Sequence, residues 1–507
     1  MKRHVSLFLC VCLLLTSFAG CSNNNNETTT TTSSDSETSS VAAETTETEA
    51  EETEETKYTA NIPEGTKYDG TTFTIVTYPN DGQIWGDVDW NATEFTGETL
   101  NDAVFSRTSE VEDLLDVDIE IYYSTGSGDQ STLNTSVKAQ DNAYQLYTIN
   151  IGNVFSIAQQ GSVQELNTFS EKGTLDLTAA WWDQNILNDL SINNMNFALT
   201  GDIGTMYKKS IGAMMFNKVI LEQNQLESPY ELMNSGKWTI DKMVEMGKTV
   251  SNDLDGNGVM DQSDQYGLIC FCDMLPLAMI GCDITFVTKD ADDIPQNTFY
   301  SDKSVSVVEK IGTLMYDTNL TYSWSRNGVG EDPAFKMFQT DKALFYYGEL
   351  HAVATMREME SEFGIMPMPK YDETQDGYHH CVNPNVCASF VIPSTNVEYE
   401  KTGYIMDALG AASKNELTPA YFNVTLQGKV SRDEESQQSL EVIISTIRYD
   451  IGYLGGLSFS TFLYSMADGG KTDLASSYAK QEKAINKQLE KMVNKFDELK
   501  TSLESSN

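Results

Sequence analysis

The sequence predicts an α/β protein built as two lobes, and three observations predict it. The chain has 507 residues, more than one hydrophobic core ordinarily organises, so at least two cores are expected. From "GTTFTIVTY" (70–78) onward, alternating β-branched and aromatic runs trade places with helically spaced apolar residues, the pattern of βαβ units in a mainly parallel sheet covered on both faces. Past residue 175 longer helical stretches take over, marking a second region of different make-up.

The N-terminus stands apart. Lys2 and Arg3 precede an apolar run from Val5 to Phe18, then Ala19, Gly20 and Cys21. The run is too short to span a bilayer comfortably, so residues 1–20 read as a secretory signal peptide. Phe18-Ala19-Gly20-Cys21 resembles a bacterial lipobox, with Phe where Leu is more usual, and makes Cys21 the expected lipidated first residue; an ordinary signal peptide with a chance cysteine is the alternative. Residues 22–56 are almost wholly Asn, Thr, Ser and Glu, with ten acids and no base. Such a stretch buries too little apolar surface to offset its chain entropy, so residues 21–61 are expected as a disordered acidic tether.

The folded body begins with the strand at 70–78. Leu100, Val104, Val111 and Leu115 then keep helical spacing ahead of an alternating run from Val117 to Tyr122, which completes one βαβ unit. Residues 143–167 repeat the order as strand, helix with Ile157 and Ala158, and a turn at Gly161. Ser228-Pro229 starts a helix, and Trp238-Thr239 leads into another with Ile240, Met243, Val244 and Gly247 on one face. "DLDGNGVMDQSD" (253–264) follows, then "QYGLICF" as a strand, and later a helix running into a strand near Ala343–Tyr347. In the last segment Ile485, Leu489, Met492, Phe496 and Leu499 form a four-three stripe. A stripe this short is expected to pack on its own domain rather than on a coiled-coil partner.

Charge and motifs exclude several classes. The formal net charge is -42; without Lys2, Arg3 and the ten tether acids, residues 57–507 carry -34. Nucleic acid and electrostatic membrane docking both want a basic patch, so neither is expected. Five cysteines lie past Cys21, namely Cys270, Cys272, Cys282, Cys381 and Cys387. An odd number suits buried free thiols better than a disulfide framework, although Cys381 and Cys387 could pair. There is no Cys-x-x-Cys, no Gly-x-Ser-x-Gly, no His-Glu-x-x-His and no Walker-type loop. His379-His380 lacks an acidic partner at ligand spacing, and the paired carboxylates of a glycoside hydrolase would be selected only by geometry.

Read together, "GETLNDAVFSRTSEVEDLL", "WWDQNILNDL" with "LTGDIG", "MMFNKVILEQNQLESPYELMNSGKWTIDKM", "FQTDKALFYYGEL" and "FGIMPMPKYDETQDGYHH" resemble the extracellular solute-binding lipoproteins of bacterial ABC importers, family 1, the branch that serves mostly sugars and oligosaccharides. The resemblance runs from about residue 68 to the final helix. It implies a periplasmic-binding-protein-like type II fold, two α/β lobes joined by a hinge with the ligand cleft between them. The first lobe would take 62–172 and about 385–435, the second 173–384 and about 436–507. It also implies a non-enzymatic, lipid-anchored monomer on the outer face of the cell membrane that closes on a sugar or oligosaccharide and delivers it to permease subunits. A lipid-anchored glycoside hydrolase and a glycan-binding adhesion module are the alternatives.

A sugar cleft needs flat apolar faces and planar polar groups. The candidates are Trp85 and Trp90 after the first strand, Trp181, Trp182 and Asp183 in "AAWWDQN", Asp202 in "LTGDIG", Tyr347 and Glu349 in "FYYGEL", and Tyr449 and Asp450 in "IRYDIG". The stretch 253–264 has EF-hand spacing: Asp253, Asp255 and Asn257 offer side-chain oxygens, Val259 its carbonyl, Asp261 a direct or water-bridged contact and Asp264 the closing carboxylate, with Gly258 at the sharp turn. No second helix or paired loop follows, so bound Ca2+ would be a structural staple on the second lobe rather than a sensor.

Overall fold

The computed structural model describes residues 57–79, 85–86, 88–126, 130–356, 359–426 and 434–506. The expected signal peptide (1–20), Cys21 and residues 22–56 lie outside the described residues. The expected tether ends earlier than residue 61: the Tyr58 backbone exchanges hydrogen bonds of 2.9 and 2.8 Å with the Asn415 side chain.

The alternation at 70–78 becomes β1 (Thr71–Thr77), which buries Phe73, Ile75 and Val76. β1 pairs in parallel with β2 (Val117–Tyr123) on one side and β3 (Leu146–Asn150) on the other. The helix Thr99–Leu115 connects β1 to β2, buries Val104, Val111 and Leu115 as its spacing predicted, and ends at Asp116 in the left-handed region, φ +48°. It also buries Arg107, whose guanidinium lies 4.1 Å over the Trp90 ring and donates to the carbonyl oxygens of Asp89 and Ile203.

The second sheet starts with β4 (Gly212–Asn217) and β5 (Tyr266–Cys270); a hairpin of β6 (Val287–Lys289) and β7 (Pro295–Asn297) stands beside it as a separate pair. β8 (Thr321–Ser323), β9 (Ala343–Glu349) and β10 (Phe363–Met366) complete the sheet in the order β10-β4-β9-β5-β8. β5 runs parallel to β8 and β9, while β4 is antiparallel to β9 and β10. The chain then returns to the first sheet as β11 (Ala388–Val391), antiparallel to β3. Three connections lie side by side between the sheets: Ile211 bridges Val382, and His380 bridges Ile447.

Two expected boundaries shift. Residues after 172 stay against the first sheet: Leu199 bridges Phe390 beside β11, and Trp181 and Trp182 bond to Asp407 on the helix Tyr399–Asn415, which packs on Thr99–Leu115. The two indole N–H groups are buried and need an acceptor, and that helix supplies it. The C-terminal helix, Glu482–Ser506, was expected in the second lobe and instead touches both regions. It buries Ile485, Leu489, Met492 and Phe496, and the Phe496 ring sits 5.8 Å from Phe155, beyond β3, and 5.5 Å from Phe197, while the helix also contacts β7. The stripe therefore serves the protein's own packing.

All five described cysteines are free, with Cys381 and Cys387 buried. Among the described residues no helix is long and apolar enough to cross a membrane.

Candidate functional site

In an open α/β sheet, ligand-reading side chains collect beyond the carboxyl ends of parallel strands. In the second sheet those ends carry Phe271 and Asp273 after β5, Trp324 after β8, and Tyr347 and Glu349 at the end of β9. Asn383, from the returning connection, binds two carboxylates at once: its Nδ2 donates to Asp273 Oδ2 at 2.6 Å and to Glu349 Oε1 at 2.7 Å. Burial raises both carboxyl groups above their usual range, and each carboxylate raises the other or is raised by further acids nearby. Two residues beyond Glu349, the buried His351 directs Nε2 at Glu331 Oε1, 3.2 Å away.

Aromatic faces surround this polar floor. Phe271 stacks on Trp324 at 4.7 Å with 20° between planes, and lies 5.5 Å from the Tyr347 ring. Trp324 Nε1 and Tyr347 Oη are buried with no hydrogen-bond partner among the described residues. From the first sheet, Tyr78 follows β1 and donates Oη to Asn150 Oδ1 at 2.7 Å. Tyr78, Met206 and Ala388 form a small apolar cluster, apart from the main core, with half-buried Trp85 packed on it. Trp85 also meets the His351 ring at 4.0 Å. One indole thus touches side chains from both sheets, and flat rings and hydrogen-bonding groups meet where the strand ends of the two sheets face each other.

Of the ten ligand candidates, Trp85, Tyr347 and Glu349 come together here. The other seven are placed elsewhere, each with a structural partner. Trp90 is buried under Arg107 and edge-on to Phe390. Trp181 and Trp182 donate to Asp407 Oδ1 at 3.2 and 3.1 Å. Asp183 caps the helix Gln184–Asp189 through the Asn185 N–H and accepts from Tyr449 Oη at 2.6 Å. Asp202 is bound by Lys208 and Lys414, both at 3.0 Å. Asp450 caps the short helix Ile451–Leu454 and accepts from the Phe286 N–H at 2.6 Å. A sequence shows polar and aromatic types but not the partners they make, so these hydrogen bonds and ion pairs were not legible in it. Asp273, Asn383 and His351 escaped sequence reading; an acid just past a buried strand, as in "LICFCD", was the one local signal available.

Two results are expected for the Trp-Asp407 contact. Trp182→Phe should lower stability by about 1.5–3 kcal/mol, the range for a hydrogen bond to a charged group, and leave any ligand affinity unchanged; chemical denaturation and titration calorimetry check both halves. Burial pushes the Asp407 carboxyl up to about 6. A carboxyl raised in the folded state contributes stability fully below its unfolded value near ~3.9 and loses it as pH rises through the folded value. Melting temperature against pH should therefore fall across that window, and Asp407→Asn should flatten the slope.

The 253–264 loop joins the helix Ile240–Val250 to β5, as expected, and is closed by the Asn252–Gln265 bridge. Gly256 and Gly258 take φ of +71° and +82°, which turns the chain back on itself. Carboxylate oxygens of Asp253, Asp255 and Asp264 lie within 4.8 Å of one another. Asp264, fully buried, accepts from the Leu254 and Asp261 N–H groups at 2.8 Å each. Asn257 Oδ1 accepts from the Val259 N–H and Asp261 Oδ1 from the Ser263 N–H, while Val259 is exposed. Clustered carboxylates on a turn of this form fit a hard, oxygen-seeking cation.

No protein-family model matches the chain, and no curated protein matches it. Solved structures do. An ABC substrate-binding protein from Listeria monocytogenes in complex with cycloalternan is similar with a TM-score of 0.55 at 12% identity, over 83% of this chain and 99% of that one. A receptor from Streptomyces glaucescens, solved unliganded and with acarbose, gives 0.54 at 12% identity over 83% and 99%. An ABC transporter solute-binding protein from Thermotoga lettingae bound with alpha-D-tagatose gives 0.53 at 13% identity over 84% and 100%. The likeness, together with the two sheets and the connections between them, identifies the fold as periplasmic-binding-protein-like type II: two α/β lobes joined by a hinge, with the strand ends of both facing one cleft.

Proposed function

We propose that the protein is the substrate-binding component of an ABC importer and captures a sugar or oligosaccharide by closing its two lobes. The observation that carries this is Trp85, held between the Tyr78 cluster of the first lobe and His351 of the second, above the floor of Asp273, Asn383 and Glu349. A solute that touches both walls favours the closed form by its differential affinity, and permease subunits would read that form. The similar structures solved with cycloalternan, acarbose and tagatose support a polyhydroxylated ligand. The described hydrogen bonds place both floor carboxylates on one amide, an arrangement suited to holding hydroxyl groups.

In this reading Cys21 carries a lipid, and the acidic segment after it keeps the body close to the outer face of the cell membrane while leaving it free to move. The 253–264 loop holds Ca2+ as a staple through Asp253, Asp255, Asn257, the Val259 carbonyl, Asp261 and Asp264. Chelation should then lower the melting temperature by a few degrees by removing ligand linkage to the folded state, with added Ca2+ restoring it, and should leave solute affinity intact. An unchanged melting curve, or loss of solute binding without loss of stability, would count against the staple.

The functional test is a thermal-shift screen against linear and cyclic glucans, smaller sugars and polyols, followed by chemical analysis of each hit. A stabilising ligand recovered intact supports the receptor. Cleavage of a panel member, or no stabilisation by any saccharide, would sink it.

A further inference from the structure

Beyond the saccharide reading, on whose cleft it rests, one corner of the cleft carries donor atoms in a geometry of its own. Glu331, Glu349 and His351 each present a ligand-type atom, and these atoms all lie within 4.8 Å of one another. They come from three rigid places: the first turn of the helix Glu331–Gln339, the last residue of β9, and the turn two residues later. His351 and Glu349 are 4% and 2% exposed, so the group is interior rather than a solvated acidic face.

The hydrogen bonding leaves this corner incomplete. His351 Nε2 faces Glu331 Oε1 at 3.2 Å, but Nδ1 is buried without a hydrogen-bond partner among the described residues and confronts Glu349 Oε2 at 3.9 Å. When Nε2 carries the proton toward Glu331, the Nδ1 lone pair is aimed at the Glu349 carboxyl across a gap too long for a hydrogen bond. The other Glu349 oxygen, Oε1, is held by Asn383 Nδ2, which also binds Asp273. That fixes the Glu349 carboxylate with Oε2 toward the imidazole, as outer partners orient a metal ligand. Among the described residues Glu331 and Glu349 have no lysine or arginine ion-pair partner, and each instead faces His351. The Trp85 ring, 4.0 Å from His351, covers the imidazole from the first lobe.

We infer that His351 Nδ1 and Glu349 ligate a divalent metal ion of the Zn2+ class in the cleft, with Glu331 orienting the imidazole through Nε2 and with coordination positions left for water and a solute oxygen. An imidazole with a carboxylate suits Zn2+ better than Ca2+, which prefers an all-oxygen shell. Two ligands each about 2.0–2.1 Å from Zn2+ at a tetrahedral angle are ~3.4 Å apart, so the gap between Nδ1 and Oε2 closes with a small side-chain adjustment. The site is separate from the 253–264 loop in both residues and chemistry, and it would make solute capture metal-dependent through an interaction neither lobe's aromatic rings provide.

The test uses the full chain stripped with chelator, then held in Ca2+ to occupy the loop, and titrated with Zn2+ alone by calorimetry, with Co2+ absorption as the spectroscopic readout. The expected result is one Zn2+ per chain in wild type and in Asp253→Asn. Glu331→Gln and His351→Gln should each weaken it by about tenfold or more and change the Co2+ spectrum. Glu331 is partly exposed at a helix start, so its variant is expected to fold even if His351→Gln does not; circular dichroism checks both. No Zn2+ bound above the level of scattered surface carboxylates, or equal affinity in folded Glu331→Gln and wild type, overturns the proposal. So does loss of the site in Asp253→Asn alone.

Discussion

Asp202→Asn should destabilise the protein by about 3–5 kcal/mol, the cost of removing one partner from a buried ion pair, while leaving solute affinity unchanged. The side chain sits at the centre of a closed network. Lys208 Nζ, 2% exposed, is 3.0 Å from Oδ1; Lys414 Nζ is 3.0 Å from Oδ2; and Thr418 Oγ1 donates to Oδ1 at 2.7 Å. Without the carboxylate, Lys208 is a buried ammonium that has lost its ion-pair partner, and desolvation of that charge dominates the loss. Burial pushes the Asp202 carboxyl up, but Lys208 and Lys414 together outweigh it and hold the group below the ordinary carboxylate range. A depressed folded-state value contributes stability above the unfolded value near ~3.9 and loses it as pH falls through the folded value. The difference between wild type and variant should therefore be full at neutral pH and vanish in acid. Urea denaturation at several pH values measures it; a neutral-pH difference under ~1 kcal/mol would show that the network is not closed as described.

Gly267→Val should cost about 3 kcal/mol or more, at the upper end for overpacking, and should abolish the response of stability to Ca2+. A Cβ at Gly267 would stand 2.6 Å from Gly247 Cα and 2.5 Å from Leu320 Cδ1. The first of these is backbone and cannot rotate away. The pair of glycines lets the helix Ile240–Val250 lie directly on β5, and the ends of those two elements carry the 253–264 loop. Prising them apart spreads Asp253 from Asp264. A variant as stable as wild type in Ca2+ would refute the close contact.

What could be read from the sequence was what is periodic or contiguous. The alternation in "TTFTIVT" needs no distant partner to show its buried face, nor does the stripe from Ile485 to Phe496, and the 253–264 turn has its acidic and amide side chains within twelve successive positions. The return of the chain as β11 to pair with β3 joins residues more than two hundred positions apart, and only the family resemblance pointed to it. The cleft floor is more scattered still, since Asp273, Glu349 and Asn383 meet from three separate connections. The partners of Trp181 and Trp182 are equally hidden in the sequence: Asp407, on a helix far along the chain, accepts from both indole N–H groups. So are those of Asp202, whose two lysines are six and 212 positions distant.

In the proposed function the facing strand ends of the two lobes close on a saccharide through Trp85. The most direct measurement is calorimetric titration of wild type and Trp85→Ala with the best ligand from the glycan screen. One intact saccharide should bind per wild-type chain, and affinity should be weaker by about tenfold or more in the variant, the scale of losing one buried aromatic face, with melting temperature nearly unchanged in the absence of ligand. Equal affinity in the two proteins would contradict it.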